Sequence, residues 1–256
     1  MNLNQITPVV LTWNEEANIG RTLRRLDWAA RVVVIDSGSS DRTLQDCREF
    51  PNVEVFVRPF DNHTNQWNFG LDQVKTLWVF SLDADYLLTP ELMDEIRRLP
   101  ESADVAAYLV PLLFCVEGTP LRGSLLPPRL ALFRRDAARY VQDGHTQTLS
   151  VQGPLLKLQS GIWHDDRKPL ARWLEAQSRY AALEVQKLRS TPWRELGWPD
   201  RIRQWIVVAP ILVPLLAYLR GAILDGRRGL FYVFQRMLAE VILSLSLLER
   251  PPSTKS

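Results

Sequence analysis

The chain has 256 residues, of which 46% are hydrophobic and 23% are charged, with a formal net charge of +2 and a mean hydropathy of -0.12. This composition excludes a disordered or fibrous chain and predicts one or two globular domains. Residues 1–164 carry 16 basic and 20 acidic side chains, a net charge of −4, whereas residues 165–256 carry 15 and 9, a net charge of +6. The two parts are therefore expected to face different surroundings.

Short apolar runs alternate with helix-like segments through the first hundred residues. Strands are predicted at residues 6–12, 32–35, 53–57 and 77–82. Helices are predicted from an Asn14 cap through Leu26, at about 41–50, at 66–74 and from Pro90 onward. This alternation predicts an α/β fold, in which a Rossmann-like, mostly parallel sheet carries helices on both faces.

The pattern changes after about residue 104. Strands are predicted at residues 105–116, 130–133 and 155–163, and the chain is predicted to be helical from Pro169 onward. Cys47 and Cys115 lie far apart without metal or redox spacing, which favours a reducing compartment. No basic region followed by an apolar stretch opens the chain, so the sequence predicts no secretory signal and a cytosolic location.

Acidic residues cluster where the predicted strands end. Glu15 follows the first strand, Asp36 ends the second, and Asp83 and Asp85 follow the fourth. Because ligands of open parallel sheets bind beyond the carboxyl ends of the strands, these acids are expected to line one crevice. In extended backbone Asp83 and Asp85 share a face, which suits a hard divalent cation with phosphate ligands. A single Asp in such a place is more often a turn former, so the inference depends on the cluster.

Four segments follow one another in a specific order: Thr12-Trp13-Asn14-Glu15, Asp36-Ser37-Gly38-Ser39-Ser40-Asp41, Gln66-Trp67-Asn68-Phe69-Gly70 and Leu82-Asp83-Ala84-Asp85. In this order they resemble the family 2 glycosyltransferases of the GT-A fold, in particular the bacterial branch that builds lipopolysaccharide cores and related surface glycans. The resemblance is strong over residues 6–100 and weaker to about residue 245, where residues 224–230 are similar to a family segment.

The resemblance implies a nucleotide-diphosphate sugar donor, a UDP-sugar, with its diphosphate on a Mn or Mg ion. The metal ligands that it implies are Asp83, Asp85 and His164, although a lone His in a strand is more often structural. Tyr86 stands where many relatives carry a further acid. The donor-binding residues that it implies are Thr12, Asn14, Glu15, Asp36, Asn68 and Asp83.

An inverting transfer also needs a base that takes the proton from the attacking hydroxyl. Asp143 lies at about the interval from Asp85 at which family members carry their catalytic acid, so the resemblance implies that Asp143 is this base. Some relatives read His-Glu where this chain has His145-Thr146, and His145 is the alternative base. The Asp143-Gly144 pair is also a common turn sequence, which is the competing explanation.

Residues 205–219 are apolar throughout, contain Pro210 and Pro214, and are flanked by arginines. At 15 residues this run is shorter than the roughly 20 needed to span a bilayer, which favours a shallow interfacial or re-entrant segment. An amphipathic helical stripe follows over residues 230–248. The alternative is that these helices pack against the catalytic domain or against a second subunit in a homo-oligomer.

We therefore predict a GT-A catalytic domain at residues 1–168, with a nucleotide-sugar half at 1–104 and an acceptor half at 105–168. Residues 169–256 form a predicted helical, basic and apolar region, with amphipathic C-terminal helices, that associates with the membrane. The expected enzyme glycosylates a lipid-linked glycan from the cytoplasmic face of the inner membrane as a peripheral protein. The alternatives are a polyprenyl-phosphate glycosyltransferase and a non-catalytic membrane-docking module. The acidic first part argues against a nucleic acid partner, and the absence of G-x-G-x-x-G argues against a dinucleotide oxidoreductase.

Overall fold

The strands and helices are those of a computed structural model that describes residues 1–100, 104–143 and 146–249. The strands are β1 (Ile6–Thr12), β2 (Val32–Asp36), β3 (Val53–Val57), β4 (Trp78–Asp83), β5 (Tyr86–Leu88), β6 (Ala107–Val110), β7 (Leu112–Val116), β8 (Thr119–Pro120), β9 (Arg129–Arg134), β10 (Ala138–Asp143), β11 (Thr146–Val151), β12 (Leu155–Lys157) and β13 (Ile162–His164). The helices are α1 (Ile19–Arg24), α2 (Thr43–Cys47), α3 (His63–Asp72), α4 (Pro90–Arg98), α5 (Leu170–Ser190), α6 (Trp198–Gln204), α7 (Val208–Leu219) and α8 (Gly226–Leu248).

The chain divides into two units. The first contains Met1–Pro120 and Leu126–Arg167, and the second contains Leu121–Leu125 together with the chain from Lys168 onward. The first unit holds the strands and the helices α1 to α4, and the second holds α5 to α8.

A seven-stranded sheet in the order β12-β6-β9-β4-β1-β2-β3 forms the centre of the first unit. β1 pairs in parallel with both β2 and β4, and β3 pairs in parallel with β2, whereas β9 runs antiparallel between β4 and β6. The apolar runs of β1 and β2 are buried, as expected for strands covered on both faces. The predicted α/β fold with a mostly parallel sheet is therefore confirmed.

Two predicted strands are each divided. Residues 105–116 form β6 in the central sheet and β7 in a four-stranded sheet of order β5-β13-β7-β8. Pro111 separates them because it has no N–H for the ladder. Residues 155–163 divide into β12 and β13 around Gly161, where an added Cβ would lie 2.8 Å from the carbonyl oxygen of Pro111. The β10–β11 hairpin was not predicted.

Two predicted helix starts are wrong. Asn14 does not cap α1, because its backbone has a left-handed φ of 55° and the cap position is held by Asn18. α3 begins at His63 rather than at residue 66, since the side chain of Asn62 accepts a hydrogen bond from the backbone N–H of Asn65 at 2.8 Å.

The second unit is a set of helices with a small apolar core. That core contains Ala181, Val185 and Leu188 of α5 together with Leu196 and Leu243. Pro214 lies inside α7, so most of the apolar run at residues 205–219 is helical, as predicted for the chain from Pro169 onward, and its interfacial placement stays a prediction. By length and composition alone, the segment Ala222–Leu248 could cross a membrane. Of its most apolar stretch of 18 residues, 22% is buried.

Candidate active site

Three predicted site residues meet at the carboxyl edge of the central sheet. Thr12 is the register partner of Asp36 on β2, and Leu11 is the partner of Asp83 on β4. The ends of β4, β1 and β2 therefore lie side by side, as ligand sites of parallel sheets require.

Asp36 is fully buried and shapes the loop that follows β2. Its Oδ1 accepts hydrogen bonds from the backbone N–H groups of Gly38 at 2.9 Å and Ser39 at 2.8 Å. Its Oδ2 accepts from the hydroxyls of Thr12 at 2.9 Å and Ser39 at 2.5 Å. Gly38 has a φ of +90°, which glycine tolerates without strain. Thr12 and Asp36 thus form the wall of the crevice and orient its loop.

Asn14 and Glu15 fasten the loop after β1 to the loop after β2. The side-chain oxygen of Asn14 accepts a hydrogen bond from the backbone N–H of Ser40 at 2.8 Å. The backbone N–H of Glu15 donates to Thr43 Oγ1 at 2.6 Å, and Glu15 Oε2 accepts from Asn18 Nδ2 at 2.9 Å. The predicted donor residues on these two loops are therefore held together by hydrogen bonds within the protein.

Asp83 and Asp85 do not lie on one extended strand, so that part of the prediction is wrong. β4 ends at Asp83, and residues 84–85 form a turn before β5 begins. The buried hydroxyl of Thr22 donates to the carbonyl oxygen of Ala84 at 2.6 Å and holds this turn. The two carboxylates consequently have different partners.

Asp83 forms an ion pair with Arg129, the first residue of β9. Arg129 Nη1 lies 2.6 Å from Asp83 Oδ2 and 3.2 Å from the hydroxyl of Tyr86. The guanidinium also lies over the rings of Trp67 at 5.5 Å and Tyr86 at 5.6 Å, within cation–π distance. Burial by itself lowers the pKa of Arg129, but the Asp83 charge and its other partners outweigh burial and hold the pKa well above its usual range.

The sequence analysis missed Arg129. Tyr86, the residue that follows Asp85, is the one sequence feature that pointed to it. Tyr86 stands where many relatives carry an acid, and its hydroxyl and ring contact Arg129.

Asp85 pairs with His164. The distance from Asp85 Oδ2 to His164 Nε2 is 3.1 Å, and the imidazole packs edge-on against Tyr86 and Phe114 with centroid distances of 5.3 and 5.4 Å. Burial by itself lowers the pKa of His164, but the carboxylate of Asp85 outweighs burial and raises the pKa to about 9. His164 Nδ1 is buried without a hydrogen-bond partner among the described residues.

The Asp85 and His164 pair supplies one carboxylate oxygen and one imidazole nitrogen, a donor set that suits Mn better than Mg. Within residues 1–100, 104–143 and 146–249, no three His, Cys, Asp or Glu side chains converge as a metal shell. Asp83, the third predicted ligand, forms an ion pair with Arg129, and its metal role stays a prediction. Asp85 and His164 would fit a divalent ion as part of its shell, with phosphate oxygens and water to complete the coordination.

A buried loop after β13 holds this pair in place. Asp165 is 1% exposed and forms ion pairs with Arg21 and Arg167. Its backbone N–H donates to the carbonyl oxygen of Asp85 at 3.0 Å. Asn18 Nδ2 donates to Asp166 at 2.9 Å, so the start of α1 is bound to the same loop. Sequence reasoning missed the contacts of Arg21 with Asp165 and of Asn18 with Asp166 because each joins residues more than 140 positions apart.

Asn68 uses both ends of its amide to hold β10. Its Nδ2 donates to the carbonyl oxygen of Tyr140 at 2.9 Å, and its Oδ1 accepts from the backbone N–H of Tyr140 at 3.0 Å. Trp67 stacks on the Tyr140 ring at 5.2 Å. In this structure Asn68 therefore positions the strand whose last residue is Asp143.

Of the two predicted bases, Asp143 is described only by its backbone, which ends β10 and is the register partner of Thr146 on β11. The side chain of Asp143 and all of His145 lie outside the described residues.

Comparisons with known proteins agree with this geometry. The family described as glycosyl transferase family 2 matches residues 8–145. The lipopolysaccharide core biosynthesis glycosyltransferase LpsC of Rhizobium meliloti is 25% identical over 151 residues, which are 54% of this chain and 56% of LpsC. An uncharacterized glycosyltransferase of Rickettsia bellii is 33% identical over 106 residues, 41% of this chain and 36% of that protein. The chain thus spans about half or less of the length of these curated relatives.

Two solved structures show the fold. The mannosyltransferase PcManGT from Pyrobaculum calidifontis, in complex with GDP-Man and Mn2+, is similar with a TM-score of 0.53 and 14% identity, over 95% of this chain and 87% of that one. S. aureus TarS 1–349 in complex with UDP-GlcNAc gives a TM-score of 0.50 and 15% identity, over 94% and 90% of the two chains. At these identities the likeness establishes the GT-A fold of the chain.

Proposed function

The chain belongs to glycosyl transferase family 2, and on this premise we propose that it transfers a sugar, with inversion, from a UDP-sugar to a lipid-linked glycan acceptor in the synthesis of bacterial lipopolysaccharide or a related surface polysaccharide. LpsC, which is named for lipopolysaccharide core biosynthesis, supports the acceptor class. The observation that carries the proposal is the pairing of Asp85 with His164, next to Asp83 and Arg129, at the carboxyl edge of the sheet.

The donor is proposed to bind across the ends of β4, β1 and β2. Thr12, Asn14 and Glu15 lie on the β1 side of this crevice, and Asp36 orders its β2 side. Asp36 and Asn68 are proposed to act by positioning the loop and β10, since their polar atoms are occupied by protein partners.

Asp85 and His164 are proposed to hold a Mn or Mg ion, which when bound would neutralise negative charge on the leaving diphosphate. Asp83 keeps Arg129 at the same edge, where its guanidinium is a second source of positive charge for the donor phosphates. Tyr86 contacts both the Arg129 guanidinium and the His164 ring and joins the two sides of the site.

Asp143 is proposed to take the proton from the attacking hydroxyl, with His145 as the alternative. Support comes from its place at the end of β10, which Asn68 and Trp67 hold against α3. A carboxylate at this place removes the proton as the new bond forms.

The second unit is proposed to keep the enzyme at the cytoplasmic face of the inner membrane as a peripheral protein. It combines the net charge of +6 for residues 165–256 with many exposed apolar side chains. Both features suit contact with anionic lipid. A homo-oligomer formed through the C-terminal helices is the alternative use of this surface.

A donor and metal screen tests the proposal on the full chain. Thermal stabilisation and release of the nucleoside diphosphate are measured with a panel of UDP- and GDP-sugars, each with and without Mn. We expect one UDP-sugar to stabilise the protein and to be consumed only with the metal. A folded protein that no nucleotide sugar stabilises would support the non-catalytic docking module instead.

Acceptors are then compared with the donor identified in this way. Transfer to a lipid-linked glycan supports the proposed acceptor, whereas transfer to polyprenyl phosphate alone supports the close enzyme alternative.

A further inference from the structure

We propose that residues 219–228, which run from the last residue of α7 through a short 3₁₀ turn at Ala222–Asp225 into the first turn of α8, form a docking site that inserts into an anionic phospholipid surface. This segment is called the docking turn below. The proposal deepens the proposed function, because it assigns membrane contact to particular residues. It rests on that function only in the premise that the enzyme works at a membrane.

Three large apolar side chains of the docking turn face solvent. Leu219 and Leu224 are each 68% exposed and Ile223 is 53% exposed. Exposed apolar surface on a soluble protein, where it is contiguous, marks a site of contact with a partner or a membrane. Insertion into the boundary between lipid headgroups and acyl chains would remove this area from water.

Basic side chains surround this apolar tip. Arg220 follows Leu219, and Arg227 and Arg228 follow Leu224 within four positions, and all three arginines are exposed. Arginines at the depth of the headgroups contact lipid phosphates while their neighbours enter the acyl region. The chemistry of the turn is therefore complementary to anionic lipid.

Hydrogen bonds and close packing anchor the docking turn within the second unit. The carboxylate of Asp225 accepts hydrogen bonds from the backbone N–H groups of Arg122 at 2.9 Å and Gly123 at 3.3 Å. Gly229 packs so closely that an added Cβ would lie 1.8 Å from the carbonyl oxygen of Ala222. The acid of the turn thus binds the protein and leaves the outer surface basic, and the apolar side chains are presented without further ordering.

A lipid surface fits this turn better than the two alternatives, a second copy of the chain and a bilayer spanned by α8. A second copy docked on the same face would bring like-charged arginines together in a unit that is already basic, with a net charge of +6 for residues 165–256. A transmembrane α8 would carry Glu240, which is 2% exposed and paired with Arg203 and Arg236, toward the hydrocarbon. Shallow insertion of the turn leaves that ion-pair cluster in place.

Vesicle flotation of the full chain tests the proposal without donor or acceptor. Vesicles of phosphatidylcholine with about one third phosphatidylglycerol are compared with pure phosphatidylcholine, at low and high salt. We expect at least about tenfold more binding to the anionic vesicles, weakened by salt. The triple variant L219S/I223S/L224S and the triple variant R220Q/R227Q/R228Q should each lower binding by about tenfold or more.

Matched controls change exposed residues of the first unit. V57S/L156S removes apolar side chains that are 61% and 52% exposed, and R48Q/R97Q/R98Q removes three exposed arginines. Both controls should bind vesicles as the unchanged protein does. Circular dichroism checks that every variant is folded, and the arginine variant is a second test should the serine variant not fold.

Equal vesicle binding by both docking-turn variants and the unchanged protein would overturn the proposal. Equal binding to neutral and anionic vesicles would also overturn it. So would bound protein that resists extraction with alkaline carbonate, as a membrane-spanning helix does. A dimer in light scattering that dissociates only in the serine variant would overturn it as well. Donor turnover is measured separately in detergent, so a lost transferase activity with intact vesicle binding refutes the proposed function and leaves the docking turn standing.

Discussion

The two units place charge and apolar surface in opposite ways. In the first unit the apolar side chains of the central strands are buried, with Val33 and Phe80 at 0% exposure, and the carboxylates line the edge of the sheet. In the second unit Leu219 and Leu224 face solvent while the carboxylate of Glu240 is buried. The first unit buries most of its apolar side chains in large cores, whereas the second has a small core and leaves more of its large apolar side chains exposed.

Each unit also buries one carboxylate between two arginines. Asp165 lies between Arg21 and Arg167 and holds the loop beside Asp85. Glu240 lies between Arg203 and Arg236 and joins α6 to α8. A buried ion pair stabilises only while it is complete, because removal of one member leaves an uncompensated charge. In either unit, burial of the carboxylate therefore determines how much stability is lost when one member of the ion pair is removed.

The largest expected effect is at the metal-side pair of the first unit. Asp85→Ala should lower kcat/KM for transfer by roughly 10²–10³-fold or more, because the ion loses a carboxylate and His164 loses its partner. Nucleotide release is measured while Mn is titrated. Asp136→Ala, which removes a surface carboxylate paired with Arg134, is the control and should keep full activity. Full transfer by the Asp85 variant would remove the pair from the mechanism.

The next largest effect is at the proposed base. Asp143→Asn should lower transfer by about 10²-fold and leave donor binding unchanged, because the amide cannot accept the proton. Single-turnover transfer and donor stabilisation are measured in parallel with His145→Ala. Retained activity of the Asp143 variant, with loss in the His145 variant, would assign the base to His145.

The second unit is expected to lose the most stability at Glu240. Glu240→Ala leaves Arg203 and Arg236 without their shared carboxylate and should lower the free energy of unfolding by about 3–5 kcal/mol. Urea unfolding followed by circular dichroism measures the change. Glu184→Ala removes a more exposed partner of Arg203 and should have a smaller effect. Equal losses of stability in the two variants would show that burial of the carboxylate does not determine how much an ion pair contributes to stability.

A smaller loss is expected where one side chain holds the hairpin of the first unit. Asn68→Ala removes two hydrogen bonds to Tyr140 and should lower the free energy of unfolding by roughly 1–3 kcal/mol. Donor affinity is measured on the same protein. Asn65→Ala, an exposed neighbour on α3, is the control. A large loss of donor affinity without a loss of stability would show that Asn68 contacts the donor directly.

The smallest effect is expected for an exposed ion pair. Arg139 and Asp72 are 54% and 55% exposed, so Arg139→Ala should change the free energy of unfolding by less than about 1 kcal/mol. Urea unfolding at low and high salt measures it. A loss of stability as large as that of Glu240→Ala would contradict the expectation that buried ion pairs matter more than exposed ones.

Much of the first unit could be predicted because its signals are local. The apolar runs at Val9 and Val33 indicate buried strands, and the acid after each strand follows from chain order alone. Since parallel strands end at the same edge, Thr12, Asp36 and Asp83 were expected to meet there, and the registers bring them together. In the second unit, periodicity correctly predicted α5 but not which apolar residues face outward.

The remaining features depend on contacts between distant residues. The turn at residues 84–85 is held by Thr22, and Asp83 is paired with Arg129, 46 positions further along the chain. The separation of β6 from β7 depends on which sheet each strand joins. Local sequence patterns contain no information on such partners, because propensity and periodicity report on near neighbours only.

The sequence by itself determined the family, the α/β order of elements, the acids at the strand ends and the division into an acidic and a basic part. These follow from residue order, hydrophobic period and charge count, which are properties of single segments. Only the tertiary structure decided that Asp83 joins Arg129 while Asp85 joins His164, that Asn68 positions β10, and that the apolar tip at Leu224 stays exposed. The physical reason is that hydrogen bonds, ion pairs and burial are made between segments that only folding brings within a few ångströms of one another.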